Sequence, residues 1–338
     1  MLTNFEINNY KCFNDLIIDK VSQINLISGK NNVGKTAFLE AVSILKSSDT
    51  LRNFRNNIES IFLRRDLDLA DLEKYFEEIK LSLALDGIII RIESHFRDEL
   101  DIEIENLDRK LQRIFDDSEE LLILYHNDEI KDISNFQRRS NLRNHSTRQK
   151  SNMSFIDSSK PNNEYLTELY SSVQDLGIEK LDKLLEYLQI IDKNIIRIEP
   201  QLTERKSVLR VTLKNPNRSL ISSELGEGTN RFIEILCTLL ANTSGTVLID
   251  EVENGIHYTK IYDIWKAIIE IVEKEKIQLF VTTHDDESIQ ALKRASEDMK
   301  YEKITSISLE KDEDNIIYPI IRKHNSFIAT VDSGMDIR

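Results

Sequence analysis

Apolar and polar positions along this chain follow two different periods, and the switches between them mark out its elements. Leu2 to Ile7 and Leu16 to Ile18 are short apolar or alternating runs, and Ile24 to Ile27 is a compact apolar strand that feeds straight into a glycine-bearing turn. From Ala37 to Leu45 the period changes. Phe38, Ala41, Val42 and Leu45 recur at three- and four-residue spacing, which predicts a helix with one buried face. The opening 50 residues therefore read as strand, turn, strand, glycine loop and helix.

The middle of the chain has another texture. Ile79 to Leu85 and Ile88 to Ile92 flank Asp86-Gly87, a two-residue hairpin signal, and Leu121 to Tyr125 followed by His126-Asn127-Asp128 predicts a second hairpin. A long amphipathic helical region follows from about Glu164 to Asp192, with Leu166, Leu169, Val173, Leu181, Leu184, Leu185 and Leu188 as its apolar face. No heptad array long enough for an extended coiled coil is present. After residue 195 strands and helices alternate: strands at Ser207 to Leu213, Thr246 to Ile249 and Ile277 to Thr282, helices at Thr229 to Leu240, Tyr258 to Lys274 and Glu287 to Ala295. Ile304 to Leu309 and Ile316 to Ile321 predict a closing hairpin. Such alternation calls for parallel strands with helices packed on them. The expected architecture is α/β, with a mixed central sheet, flanking helices and an N-terminal antiparallel β element. Residues 1–50 and 195–338 would form the core, and residues 51–194 an inserted lobe of hairpins and helices.

Composition narrows the function. With 40% hydrophobic and 31% charged residues, the 338-residue chain can bury a full core. Its formal charge of −14 makes the surface as a whole repel phosphate backbones, so any contact with nucleic acid must be local. The one markedly basic stretch runs from Ile133 to Ile156, where no acid occurs and Arg138, Arg139, Arg143, Arg148 and Lys150 sit among Ser and Asn. Cys12 and Cys237 lie in no metal-ligand spacing, which fits a reducing compartment. The N-terminus is polar within four residues and no run of 18 uncharged apolar residues occurs, so the expectation is a cytoplasmic protein without a membrane span.

Four short blocks carry chemistry. Gly29 to Thr36, GKNNVGKT, fits the phosphate loop G-x-x-x-x-G-K-[ST] and has the required context of a buried strand before it and a helix after it. Gly29 and Gly34 let the backbone amides of Asn31, Asn32, Val33, Lys35, Thr36 and Ala37 curl around phosphates at a helix N-terminus. Lys35 should reach the β- and γ-phosphates of ATP, and the Thr36 hydroxyl should ligate Mg2+. TVLIDE ends an apolar strand in two carboxylates, where a sheet of this kind places its ligand crevice. Asp250 would hold the magnesium shell and Glu251 would deprotonate the attacking water. His284, in VTTHDDE, stands just past another buried strand, where an imidazole can sense the γ-phosphate. Ser222 to Arg231, SSELGEGTNR, is a glycine-rich opening of a helix, and after a phosphate loop it looks like the ABC signature. Gly226, Gly228 and Arg231 would then face the nucleotide of a second copy, which predicts a C2 homodimer that closes on ATP.

GKNNVGKT, SELGEGTNR, LIDEVENGIHY and VTTHDDE in this order, with the terminal MDIR, resemble the OLD-type ATPases, relatives of the SMC and RecF-like ABC ATPases. The resemblance spans most of residues 1–48 and 195–338. It implies an ATPase with Lys35, Thr36, Asp250, Glu251 and His284 in the roles above, and with Glu253 to His257 in a loop that crosses the dimer interface. The stretch from Phe155 to Ser159 takes the place of the glutamine loop by order alone. Two departures stand out. The usual signature serine falls at Gly226, so its hydroxyl contact is either absent or supplied by a neighbour such as Ser223, and residues 285–338 leave no room for the Toprim nuclease domain of OLD proteins. Short relatives of this kind, as in PARIS-like, retron-linked and Septu-like anti-phage systems, work with a separately encoded effector. The implied role is regulation of a partner nuclease or toxin. The competing expectations are a RecF-like DNA-repair ATPase that grips DNA through the basic stretch, a transporter's ATPase subunit, and an ATP-stabilised scaffold with negligible turnover.

Overall fold

The computed structural model describes residues 1–65, 80–85, 88–100, 107–135, 153–202, 206–215 and 217–337. The chain opens with β1 (Phe5–Tyr10), β2 (Phe13–Ile18) and β3 (Ile24–Ser28), and the glycine loop leads into α1 (Lys35–Ser47). Helix α2 (Leu51–Arg64) follows, its start capped by the Thr50 hydroxyl, which accepts from Asn53 N. The hairpin strands are β4 (Lys80–Leu85) and β5 (Ile88–Phe96), then β6 (Glu120–His126) and β7 (Glu129–Asn135), with α3 (Arg109–Asp116) between the pairs. Asn127 and Asp128 both take positive φ, 49° and 68°, the two-residue turn whose twist suits a hairpin.

These hairpins do not stand apart from the core. β1 pairs with both β2 and β4, so the order β2-β1-β4-β5-β6-β7 is one antiparallel sheet that continues the N-terminal element. The expected middle lobe also supplies β8 (Met153–Ile156), an edge strand of the central sheet. Its long helical region is broken at Gly177, φ 108°, into α4 (Asn163–Gln174) and α5 (Ile178–Leu188). Beyond these lie β9 (Ile195–Leu202), β10 (Ser207–Leu213) and β11 (Arg218–Ile221), a small antiparallel sheet. Most of the basic stretch, residues 136–152 with Arg138, Arg139, Arg143, Arg148 and Lys150, lies outside the described residues, as does the Asp86-Gly87 turn.

The last third completes the core with α6 (Glu227–Ala241), β12 (Thr246–Ile249), α7 (Tyr258–Glu275), β13 (Gln278–Thr282), α8 (Asp286–Met299), β14 (Ile304–Lys311), β15 (Ile317–Lys323) and α9 (His324–Asp332). The central sheet runs β15-β14-β3-β13-β12-β8, parallel throughout except for the antiparallel edge β15. It is a mixed sheet of the expected α/β kind. β3, β12 and β13 are buried along their whole length because both faces are covered, one by helices and the other by α1 with the N-terminal sheet. The period of two assigns the faces: Val247, Ile249, Leu279 and Val281 pack toward α6, α7 and α8, while Leu248 and Phe280 pack toward α1 and the N-terminal sheet. Phe5 bridges the second layer, with its ring 5.7 Å from Phe38 and 6.3 Å from Phe280. Buried Glu40 of α1 ties the layer down, accepting from Lys11 of the β1–β2 turn and, through both oxygens, from Arg65 just past α2. Among the described residues no helix is long and apolar enough to cross a membrane.

Candidate nucleotide site

The functional groups gather where parallel strands end, past Ser28, Ile249 and Thr282, the edge at which such sheets bind ligands. The glycine loop takes its shape from neighbours as well as from its own residues. Gly29 has φ 145°, and a Cβ there would lie 2.7 Å from the Leu309 carbonyl oxygen and 2.8 Å from Val33 Cγ2. Gly34 has φ 90° and lies under the β1–β2 turn, where a Cβ would meet Cys12 Sγ at 2.5 Å. Val33 and Ala37 are buried and anchor the loop, while Asn31 and Asn32 face solvent. Lys35 Nζ donates to the carbonyls of Gly29, 2.8 Å, and Lys30, 2.9 Å, and so lies over the loop with one proton left to donate. Burial lowers its pKa, opposed by the charges of Glu251, Asp250 and Glu253.

The acidic strand end meets this loop directly. Thr36 Oγ1 donates to Asp250 Oδ2 at 2.9 Å, and Thr282 Oγ1 donates to Asp250 Oδ1 at 2.6 Å, so both oxygens of the buried carboxylate are oriented. Glu251 follows with φ 53°, a conformation costly for a non-glycine residue, and its N–H donates to Thr282 Oγ1 at 2.8 Å. Its half-buried side chain lies 3.6 Å from His284 Nδ1. Glu253 Oε1 holds His284 twice, accepting from its backbone N–H at 3.1 Å and lying 3.2 Å from Nδ1. Burial raises the Glu253 pKa. A cleft of about 340 Å³ opens between Gly29, Lys30, Asn31, His284 and Asp336. A larger cavity, about 830 Å³, lies at the opposite end of the sheet beside Met153, Thr246 and the polar face of α2, and it contains none of these groups.

A family model described as "AAA domain, putative AbiEii toxin, Type IV TA system" matches residues 24–289. The chain belongs to this AAA-domain family. It is 23% identical over 367 residues to a Helicobacter pylori protein named ATP/GTP phosphatase, covering 94% of this chain and 95% of that one. Among solved structures it is similar to the SMC head domain from Thermotoga maritima, with 12% identity, TM-score 0.46, and coverage of 95% of this chain and 99% of that one. It is also similar to an Smc head domain derived from Pyrococcus furiosus, with an extended coiled coil and bound to the C-terminal domain of ScpA. That match has 10% identity, TM-score 0.49 and coverage of 98% of both chains.

In this AAA domain the phosphate loop, Asp250, Glu251 and His284 converge, whereas the signature-like stretch divides. Gly226 is the N-cap of α6 with no side-chain cap, and a Cβ there would meet nothing within 4 Å. Gly228 is pressed against the chain itself, since a Cβ would fall 2.2 Å from the Gly255 carbonyl oxygen. Arg231 departs from its expected place at a nucleotide: it is buried, and its guanidinium donates inward to the carbonyls of Asp157, Asp250 and Glu251 and to Glu234. The cause is local. Arg231 sits among the buried residues of α6, which run from Asn230 to Leu240, rather than at its exposed tip. Ser223 is exposed, and Ser222 is buried and donates to Asn163 Oδ1. The stretch from Phe155 to Ser159 touches the loop after Glu251, with Asn254 Nδ2 donating to the Ser158 carbonyl at 2.7 Å. Sequence reasoning assigned no role to Thr282 or to the Glu253 side chain. Both stand inside the quoted motifs, and a hydroxyl closing a buried strand beside an acid was the available signal for the first.

Proposed function

We propose that this chain is an ATPase that binds ATP with Mg2+ at the glycine loop and hydrolyses it when two copies close on the nucleotide. The observation that carries the reading is the bond between Thr36 Oγ1 and Asp250 Oδ2, which brings the two expected metal ligands together. An alcohol and a carboxylate are oxygen donors suited to a hard cation. Magnesium held by Thr36 and Asp250 would supply charge neutralisation for the phosphates. The chain's own groups do the rest. Loop amides and Lys35 bind and orient the triphosphate, Glu251 takes the proton of the attacking water, and Glu253 orients His284 toward the terminal phosphate.

The exposed N-terminus of α6 at Gly226 supports a second copy as the source of further amides for that phosphate. The effector reading is regulation of a separately encoded nuclease or toxin in anti-phage defence; the family description names a putative toxin and a toxin–antitoxin system, without an effector or phage. Phosphate release by wild type and Glu251→Gln tests the enzyme: the substitution should lower release by about 10²–10⁴-fold while ATP still binds. Equal release from both proteins excludes the role given to Glu251. Lys35→Ala should remove ATP binding, and unchanged affinity would exclude the glycine loop.

A further inference from the structure

The buried guanidinium of Arg231 joins two parts of the site that catalysis has to keep in register. Helix α6 presents its exposed N-terminus at Gly226, and one turn further on the same helix sends Arg231 into the interior. There Nη2 donates to the Asp250 carbonyl at 2.5 Å and to the Glu251 carbonyl at 3.3 Å. Nη1 donates to the Asp157 carbonyl at 2.5 Å and to Glu234 Oε2 at 3.0 Å. One planar fork therefore grips the peptide units that carry the magnesium ligand and the general base, together with the chain just past β8. Lysine gathers its donors at one nitrogen and lacks the fork whose Nη1 and Nη2 divide these carbonyls between them.

A second contact fixes the same pieces. Gly228 lies so close to Gly255 that no side chain fits between them, so the start of α6 rests on the loop that follows Glu251. The Glu251 backbone sits at φ 53° and needs its surroundings to hold it there. We infer that Arg231 is a positioning residue for hydrolysis: it registers the Glu251 turn to helix α6, so that engagement of the helix tip by a partner's nucleotide sets the geometry of the general base. Arg231 touches no substrate itself. This rests on the ATPase reading above, and it gives the α6 arginine a task other than contact with nucleotide.

The test compares wild type, Arg231→Met and Arg231→Lys in ATP affinity, steady-state phosphate release per folded molecule, and melting temperature. A general base misplaced by about an ångström loses on the order of 100-fold in rate. Arg231→Met should therefore keep ATP affinity within about threefold while kcat falls by about 100-fold, the signature of an interaction needed only in the transition state. Arg231→Lys should recover only part of that loss. Should the methionine variant fail to fold, the lysine variant decides. A variant with lowered melting temperature but wild-type kcat makes Arg231 a mere structural strut and overturns the inference. Absence of ATP binding and release in the wild type would instead remove the ATPase reading beneath it.

Discussion

The phosphate-loop half of the site and the signature half are built in opposite ways. Around Lys35, Thr36 and Asp250 the contacts already exist within one chain, and the two glycines are held at positive φ under neighbouring backbone and side chains. Around Gly226 the helix tip is open and uncapped, and Arg231 of the same helix turns inward to brace Glu251. The first half is finished in cis. The second, on the proposed closure of two copies, is a surface for a partner, with a buried arm reaching back to the chemistry.

Substitutions at the glycines separate the two halves most sharply. Gly29→Ala combines a positive φ with a Cβ 2.7 Å from the Leu309 carbonyl oxygen, so it should cost about 2–4 kcal/mol in chemical denaturation and abolish ATP binding in titration calorimetry. Gly228→Ala should cost less. The clash with Gly255 is worth about 1–3 kcal/mol, and the better helix propensity of alanine returns up to about 1 kcal/mol. Its ATP affinity should stay near wild type while phosphate release falls, and lost ATP binding would show that the halves are not separable.

Acidity probes the buried arm. Burial raises the Glu234 carboxyl to about 7 despite the adjacent Arg231, with Asp157, Tyr165 and Arg64 as the other charged or titratable groups of that pocket. The folded protein thus holds a proton that the unfolded chain releases between 4.5 and about 7. Stability from this group is present at low pH, declines by at most about 1.4 kcal/mol per unit across that window, and is level above it. Melting curves of wild type and Glu234→Gln should diverge as pH rises through the window and run parallel beyond it. A constant difference from about pH 5 upward would refute the shift. The smallest effect belongs to the open tip: Gly226→Ser, in extended backbone with free space, should add a helix cap worth about 0.3 kcal/mol. It should also raise phosphate release if a partner's nucleotide meets this residue. Lower stability would mean that the tip is not the free cap described.

Local chemistry was readable from sequence because its determinants are contiguous. The strand before the glycine loop, the helix after it and the acidic strand end each occupy under 15 residues and appear where their periods put them. Partnerships across the chain were not readable. Nothing in the alternation of Lys80–Leu85 says that it pairs with Phe5–Tyr10 rather than closing a separate lobe, since pairing depends on which edge remains open after the core assembles. Arg231 was misplaced for a related reason. A motif gives its order along the chain, whereas the inward turn follows from helix phase against a strand end 19 residues away. The same holds for Glu253, which meets His284 only because their two loops emerge side by side.

The most direct test of the central claim is the ratio of ATP affinities with and without magnesium, measured by titration calorimetry in wild type and in Asp250→Asn. If Thr36 and Asp250 together hold the metal on the triphosphate, wild type binds ATP more tightly with magnesium, and the substitution brings the ratio close to one. The same magnesium dependence in both proteins would contradict the account.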